Sequence, residues 1–144
     1  FMPIVVIAME KEDYAAWVAE QQGVAVEQAA AAEKEWSQED LIAQGEKVYA
    51  NNCASCHMPD GAGIPGTFPA ITASAIVTGD MNAQVDLMLN GKGMMPAFGQ
   101  MLDPVDFAAV STFIRNGLGN SVGDVIQPTA IKALQATISK GDDE

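Results

Sequence analysis

Residues that ligate metals or carry acid–base chemistry are scarce in this sequence. Its 144 residues include two cysteines and one histidine. A structural zinc site takes about four ligands, and Cys and His together supply three here with no second cluster. The composition therefore disfavours a zinc module, and it leaves no second histidine for an enzyme that needs one as its acid–base residue.

Positive charge and long apolar runs are scarce as well. Seven Lys and Arg against 19 Asp and Glu give a net charge of −12 and a pI near 4.2. This argues against nucleic acid and anionic lipid as partners, and it suits a basic protein partner or simple solubility equally well. No apolar run approaches the ~20 residues of a membrane-spanning helix. An apolar content of 49% predicts a globular chain with one modest core.

Both cysteines and the histidine fall in one stretch, Cys53-Ala54-Ser55-Cys56-His57. Two thiols three apart with an imidazole directly after them are typical of c-type haem attachment, in which the thiols add to the haem vinyl groups and the histidine ligates iron. A disulfide or half of a zinc site is the alternative. Because haem c is attached outside the cytoplasm, the motif also predicts a periplasmic or equivalent location.

The first 36 residues predict a strand, a helix and a linker. The segment 1–9 is short and rich in β-branched residues, which is typical of a strand in a buried sheet. No partner strand follows it in the sequence. Residues 10–20 predict a helix, and the Ala-, Gln- and Glu-rich residues 21–35 predict a semi-rigid, partly helical linker. Trp36 is expected to pack on the next domain. With no signal peptide visible, the chain is interpreted as a piece of something longer.

The helix after Trp36 contains an unusual glycine. Ser37 with Asp40 three residues later predicts a helix start, and the helix runs to about residue 51. Gly45 within it costs about 1 kcal/mol against alanine. We therefore predict that a second helix, carrying an aromatic such as Phe113, crosses tightly at Gly45.

Three more helices are expected towards the C-terminus. Residues 82–89 predict a short helix capped by Asn82, with an inward face that includes Leu89. Asp103 and Pro104 predict the start of the last firm helix, which ends at 116–117. Beyond residue 119 a short amphipathic helix from Pro128 precedes an acidic tail.

Residues 58–69 hold three glycines and three prolines, which excludes regular structure. A ligating imidazole usually donates its second N–H to a carbonyl, and Pro69 is the candidate acceptor, with an ordinary turn proline as the alternative. Ile71 and Ile76 are expected in a pocket or the core, and Phe98 is expected to seal a crevice.

The second axial ligand of such an iron is open among Met, Lys, Tyr and water. The sequence has eight methionines. Met58 is too close to His57 to reach the opposite face, and Met88 lies on a helix face. Met94 and Met95 both follow a glycine-rich turn, and loop character alone does not separate them. Lys47 is expected in solvent, whereas other cations are candidates for haem propionates or for solvent.

Residues 37–119 resemble class I cytochrome c domains. The resemblance rests on five stretches of sequence: the haem motif, Phe-Pro-Ala at 68–70, Leu-Asn-Gly-Lys-Gly at 89–93, Met-Pro-Ala-Phe at 95–98 and Ile-Arg-Asn at 114–116. It implies an all-α fold of three to four helices around a covalent haem c. The resemblance makes Met95 the axial ligand. Pro69, Leu89 and Phe98 are expected around the haem. Met58 and Leu118 depart from the family, which often has Gly and Trp there.

Phe-Met-Pro-Ile-Val-Val, followed by Glu-Asp-Tyr and Trp, is similar to the last strand of the copper domain in cytochrome c oxidase subunit II. This resemblance makes Met2 a ligand of dinuclear copper in an intact subunit, although the other copper ligands are missing here. Together the two resemblances imply the caa3-type architecture. The implied divisions are a copper-domain remnant at 1–20, a linker at 21–36, a cytochrome domain at 37–119 and an extension at 120–144.

The implied role is one-electron transfer from a donor cytochrome or reductase to the dinuclear copper of an oxidase that reduces dioxygen. The domain itself would then be no enzyme. Its partners would be other oxidase subunits and the copper domain, at the periplasmic face of the bacterial inner membrane. A stand-alone cytochrome c and a c-haem peroxidase or small-ligand enzyme are the alternatives.

Overall fold

A computed structural model describes residues 4–138, and the side chain of Ile138 is outside the described part. The described residues form α-helices and one short 3₁₀ turn at Phe98–Gln100, with two isolated β-bridges and no strand. The predicted all-α fold is confirmed. The helices are α1 Lys11–Glu33, α2 Gln38–Asn52, α3 Ala54–His57, α4 Ala75–Thr78, α5 Met81–Asn90, α6 Pro104–Asn116 and α7 Pro128–Ile138.

The strand expected at residues 1–9 is wrong for its described part. Residues 4–10 have no regular structure, and Ile4 and Val6 are 89% and 88% exposed. A strand needs a neighbour to satisfy its backbone hydrogen bonds, and the described residues offer none. Met2, the expected copper ligand, lies outside the described residues.

One continuous helix, α1, covers residues 11–33, which is nearly all of the expected helix at 10–20 and of the expected linker at 21–35. Apart from the half-buried Val18, its side chains are exposed from Lys11 to Ala30, and Ala32 is buried. Its C-terminal end meets the rest of the fold through Trp36, whose indole Nε1–H donates to the Ala31 carbonyl at 2.9 Å.

Trp36 also bonds the segment that begins α7. Its backbone N–H donates to Gln127 Oε1 at 3.0 Å, and Gln127 Nε2–H donates to its carbonyl at 2.9 Å. An exposed ion pair between Lys132 and Glu33 joins the same two helices. The end of α1 is therefore held against α7.

The crossing of α2 and α6 forms the centre of the core. Ser37 caps α2 as predicted, because its Oγ accepts from the Asp40 N–H at 3.1 Å. Gly45 lies where α6 passes, and a Cβ placed there would sit 2.2 Å from the Ala109 carbonyl oxygen and 2.6 Å from Phe113 Cβ. The predicted tight crossing at Gly45 is confirmed.

The sequence predicts the cap of α6 correctly and the cap of α5 wrongly. Asn82 is not the cap of α5. The helix begins at Met81, and the Asp80 carboxylate accepts from the Asn82 N–H at 2.8 Å. Asp103 caps α6 as predicted and accepts from two N–H groups at 2.9 Å.

Residues after 119 pack on the helices before them. Ile126 and Ile131 are 4% and 0% exposed, and Asn120 donates to the carbonyls of Ile71 and Ile114. The domain boundary at 119 stays a prediction, and the structure packs residues on both sides of it together. The acidic tail at 142–144 lies outside the described residues.

Within residues 4–138, none of the helices combines the length and the apolar character that crossing a membrane requires.

Candidate haem c site

A largely apolar cavity of about 390 Å³ lies between the end of α2, the loop after α3, and α5. Its wall brings together most of the site residues predicted from the sequence. Those residues are Cys53, Cys56, His57, Pro69, Met95 and Phe98.

The motif residues reach the cavity because the chain makes one tight turn between the two thiols. The N–H groups of Cys56 and His57 both donate to the Cys53 carbonyl, at 3.1 and 2.9 Å. Both cysteines are free thiols. Burial, and next the neighbouring Cys56, raises the pKa of the Cys53 thiol to about 11. At neutral pH a free Cys53 is thus a protonated, poorly nucleophilic thiol.

His57 is oriented by a backbone carbonyl. Its Nδ1 lies 2.9 Å from the Pro69 carbonyl oxygen. With the proton on Nδ1, the ring donates to Pro69 and Nε2 keeps its lone pair for a metal. Gly63 permits this approach, because a Cβ there would lie 2.6 Å from the same carbonyl oxygen. The role of Pro69 as orienting acceptor stays a prediction.

Tyr49, on α2, fixes the chain just after His57. Its hydroxyl donates to the Met58 carbonyl at 2.7 Å. Burial, with smaller contributions from Cys53 and Asp60, raises the pKa of Tyr49 to about 12, so the phenol remains a donor at neutral pH. Sequence reasoning did not assign this role to Tyr49.

Met58 has φ 64° and ψ 154°. This backbone region is essentially restricted to glycine, because a side chain there meets its own backbone. The conformation explains in physical terms why class I cytochrome c domains often have glycine at this place.

The loop before the 3₁₀ turn separates Met94 from Met95. Lys92 and Met95 exchange backbone hydrogen bonds at 3.0 and 3.1 Å, which makes residues 92–95 a tight turn. Met94 lies at the tip and is 71% exposed, whereas Met95 is half-buried and packs on the core. Both border the cavity. The assignment of Met95 as ligand remains a prediction, and the turn favours it.

Met88 also borders the cavity, but its sulfur has polar neighbours of its own. Gln84 Nε2 lies 3.5 Å and Ser111 Oγ 3.7 Å from Met88 Sδ. Gln84 was missed by the sequence reasoning. The feature that could have identified it in the sequence is its place as a polar residue on the inward face of an amphipathic helix, next to Val85 and Met88.

Some of the remaining predicted residues border the cavity and one does not. The predicted position of Leu89 around the haem is corrected by the structure. Leu89 packs in the core and does not border the cavity, whereas Leu87 does. Phe98 is buried and borders the cavity, as do Ile71 and Ile76, although Ile76 is 47% exposed.

The structure places the cations of the haem domain in different surroundings. Lys47 and Lys92 are exposed, and Lys92 borders the cavity. Arg115 is neither in solvent nor free for a propionate. It is 2% exposed and pairs with Asp124.

The donors around the cavity fit haem c. Two thiols one helical turn apart, an imidazole with its second nitrogen bonded, and a thioether on a tight turn all border one apolar space. Among residues 4–138 no group of three or more His, Cys, Asp or Glu side chains is placed to hold a metal ion on its own. The zinc alternative therefore finds no second cluster in the described part of the chain.

An all-α fold with these donors defines the class I cytochrome c domain. The family model described as cytochrome c oxidase, cbb3-type, subunit III matches residues 40–114, more than half of the chain. The chain belongs to this family of cytochrome c domains. A domain of this family carries covalent haem c and transfers electrons.

Curated relatives agree on the domain and differ in the whole protein. The chain is 35% identical to cytochrome c6 of Diacronema lutheri over 54% of its own length and 98% of the relative. It is 30% identical to the cytochrome c subunit of the quinone alcohol dehydrogenase of Gluconobacter oxydans (65% and 22%). It is 31% identical to the cbb3-type oxidase subunit CcoP of Azospirillum sp. (52% and 28%). The chain thus spans less than a third of the two longer relatives.

Proposed function

We propose that this cytochrome c domain is the C-terminal part of a cytochrome c oxidase subunit II of the caa3 type. It takes single electrons from a donor cytochrome or reductase and passes them to the dinuclear copper of the same subunit. The order of the two resemblances carries the proposal, since a stretch that resembles the copper domain is followed by a continuous helix and then by the haem domain. The location that goes with it is the periplasmic face of the inner membrane.

The lining of the cavity supports the proposed set of residues that would hold the cofactor. Cys53 and Cys56 would form thioethers, and His57 and Met95 would ligate iron. Haem c held in this way supplies a one-electron couple, and thioether ligation raises its potential and closes the iron to substrates. The chain itself provides a mostly apolar crevice, which excludes water around the redox group, and the Pro69 carbonyl, which holds the imidazole.

The ligand assignment is tested by Met95→Ala with Met94→Ala as its matched control. We expect Met95→Ala to abolish the red charge-transfer band of the ferric protein, because the iron loses its thioether. Met94→Ala keeps the band, because that side chain lies at an exposed turn tip. The opposite pair of spectra would assign Met94.

The spectra also test the enzyme alternative. A domain built for small ligands has an open iron, so its ferrous form binds carbon monoxide rapidly. We expect slow or negligible binding in the wild-type domain and rapid binding in Met95→Ala. Rapid binding in the wild-type protein would favour the enzyme.

The form of α1 supports its proposed role as a link between two domains. A long helix whose side chains are exposed all round is typical of a segment that bridges domains. Its 23 residues span about 35 Å at 1.5 Å per residue. Tethering raises the concentration of a donor near its acceptor only where the geometry lets the two meet. The haem-to-copper rate should therefore depend on the length of α1.

This dependence is tested in the intact subunit by inserting two residues after Gly23. The insertion turns one end of a continuous helix by about 200° relative to the other. We expect slower haem-to-copper transfer, measured by flash photolysis. The control is the double variant Val24→Ala and Val26→Ala, which changes exposed side chains without changing length. Equal rates in all three proteins would contradict a rigid link, since a flexible linker barely responds to two residues.

A second candidate is a haem c subunit of a cbb3-type oxidase, which the family description and the resemblance to CcoP favour. Copper analysis of the whole protein separates the two. Two copper ions per haem c support the subunit II assignment, and their loss in a Met2→Ala variant of the whole protein would connect them to this chain. Copper-free protein would favour the cbb3-type role.

A further inference from the structure

Arg115, near the end of α6, is 2% exposed and has its hydrogen-bonding capacity filled by protein groups. A guanidinium carries five N–H donors. Two of them bind the Asp124 carboxylate, from Nε at 2.8 Å and from Nη2 at 2.6 Å. The other three bind the Val77 carbonyl at 2.7 Å, the Gly79 carbonyl at 2.9 Å and Gln84 Oε1 at 3.0 Å. No donor is left for a haem propionate.

The Arg115 charge lies directly behind the cavity wall. Val77 and Gln84 border the cavity and both accept from Arg115 Nη1. Ile114, the preceding residue on α6, borders it too. Among the buried residues that the structure describes, Arg115 is the one that carries a full charge.

The counter-charge comes from the segment after α6. Asp124 lies beyond residues 40–114, which the family model matches, and its side chain is 33% exposed. Its carboxylate binds Arg115 through two parallel hydrogen bonds, a geometry in which guanidinium and carboxylate charges offset each other closely. With Asp124 ionised, the pair behind the wall is close to neutral.

We propose that Asp124 sets the reduction potential of this domain by neutralising Arg115 behind the wall of the haem pocket. The proposal rests on haem c being bound in the cavity. An uncompensated buried cation disfavours the ferric state, which carries one more positive charge than the ferrous state. Inside a protein the effective dielectric constant is about 20, well below that of water. A buried charge on Arg115 therefore still acts on a haem on the other side of the cavity wall.

The alternative is that the pair only holds the structure together. Arg115 ties the α4–α5 corner to the C-terminal segment, so its loss lowers stability in either case. The reduction potential separates the two roles, because a purely mechanical link leaves the potential of the folded, fully ligated protein unchanged.

The test is a redox titration of the holoprotein carrying Asp124→Asn. We expect the equilibrium to shift towards the ferrous form by about three- to tenfold, or ~30–60 mV for a one-electron couple. The control is Asp86→Asn, which makes the same change at an exposed site on α5 whose side chain accepts from Asn90 at 2.8 Å. We expect less than about a twofold shift there, since water and salt screen an exposed charge.

An Asp124→Asn protein with an intact ferric charge-transfer band and the potential of Asp86→Asn overturns the proposal. If Asp124→Asn does not hold its fold, Arg115→Gln is compared with the double variant Arg115→Gln and Asp124→Asn. The single variant keeps the Asp124 charge and is expected at the lower potential, and equal potentials overturn the proposal. A wild-type protein that takes up no haem refutes haem binding itself, and the proposal with it.

Discussion

Replacing Gly45 by alanine tests the packing on which the fold depends. Position 45 lies on α2 where α6 crosses, and an added Cβ would lie 2.2 Å from the Ala109 oxygen, 2.6 Å from the Ala109 carbonyl carbon and 2.6 Å from Phe113 Cβ. Carbon atoms pack favourably at about 3.5–4.0 Å, so the two helices must separate by roughly 1 Å or more. None of these three atoms is the mobile end of a long side chain.

Two effects of opposite sign set the size of the change. Alanine in a helix is favoured over glycine by about 1 kcal/mol. Overpacking a well-filled core costs about 1–3 kcal/mol, and here we take the upper end, about 3 kcal/mol, because the clash involves backbone. We therefore expect Gly45→Ala to lower the free energy of unfolding by about 2 kcal/mol, or ~8–16 °C in melting temperature for a domain of this size.

The measurement is urea unfolding of the haem-loaded protein, followed by far-UV circular dichroism. Gly23→Ala is the matched control, because Gly23 also lies within a helix and a Cβ there meets nothing within 4 Å. We expect no loss of stability in the control. If Gly45→Ala is as stable as the wild type, helix packing does not explain the glycine.

Two further predictions concern the chain around His57. Met58→Gly should raise the free energy of unfolding by about 1 kcal/mol, because Met58 holds a backbone conformation that strains residues other than glycine. Ala54→Gly, within α3, is the control and should lower the free energy of unfolding. A loss of stability in both variants would contradict the strain at Met58. Tyr49 has a pKa raised to about 12, above the ~10 of an unfolded chain, so its contribution to stability is complete below pH 10 and is lost as pH rises towards 12. Urea unfolding between pH 9 and 12 should show a shallower alkaline loss in Tyr49→Phe, and identical slopes would show that Tyr49 titrates normally.

Local signals predicted the parts of the fold that depend on neighbours in sequence. Ser37 and Asp103 cap their helices because the groups that they satisfy lie two or three residues away. Gly45 was informative because a glycine inside a helix has a cost that only tertiary packing explains. The haem motif was equally local, since one turn of backbone brings Cys53 and Cys56 to the same cavity.

The parts that sequence reasoning missed depend on contacts between distant or unexpected residues. Gln127 bonds Trp36 across 91 positions, and no local pattern indicates that pairing. Asp80 was passed over for Asn82 because both are good caps, and a shift of two residues is below the precision of pattern reasoning. The expected strand is wrong over residues 4–9, because β-branched residues form a strand only where a neighbouring strand can pair with them.

The end of the haem domain is a further place where packing bears on a boundary that was proposed from sequence. The resemblance to class I cytochrome c domains covers residues 37–119, and the predicted boundary follows from it. A domain cut at 119 would lose Asp124, the carboxylate that offsets the charge of Arg115, and removing one partner of a buried ion pair typically costs about 3–5 kcal/mol. It would also remove Ile126 and Ile131, which are buried in the same core as α6. Because these losses are a large share of a small domain's stability, we propose that the folding unit continues through α7.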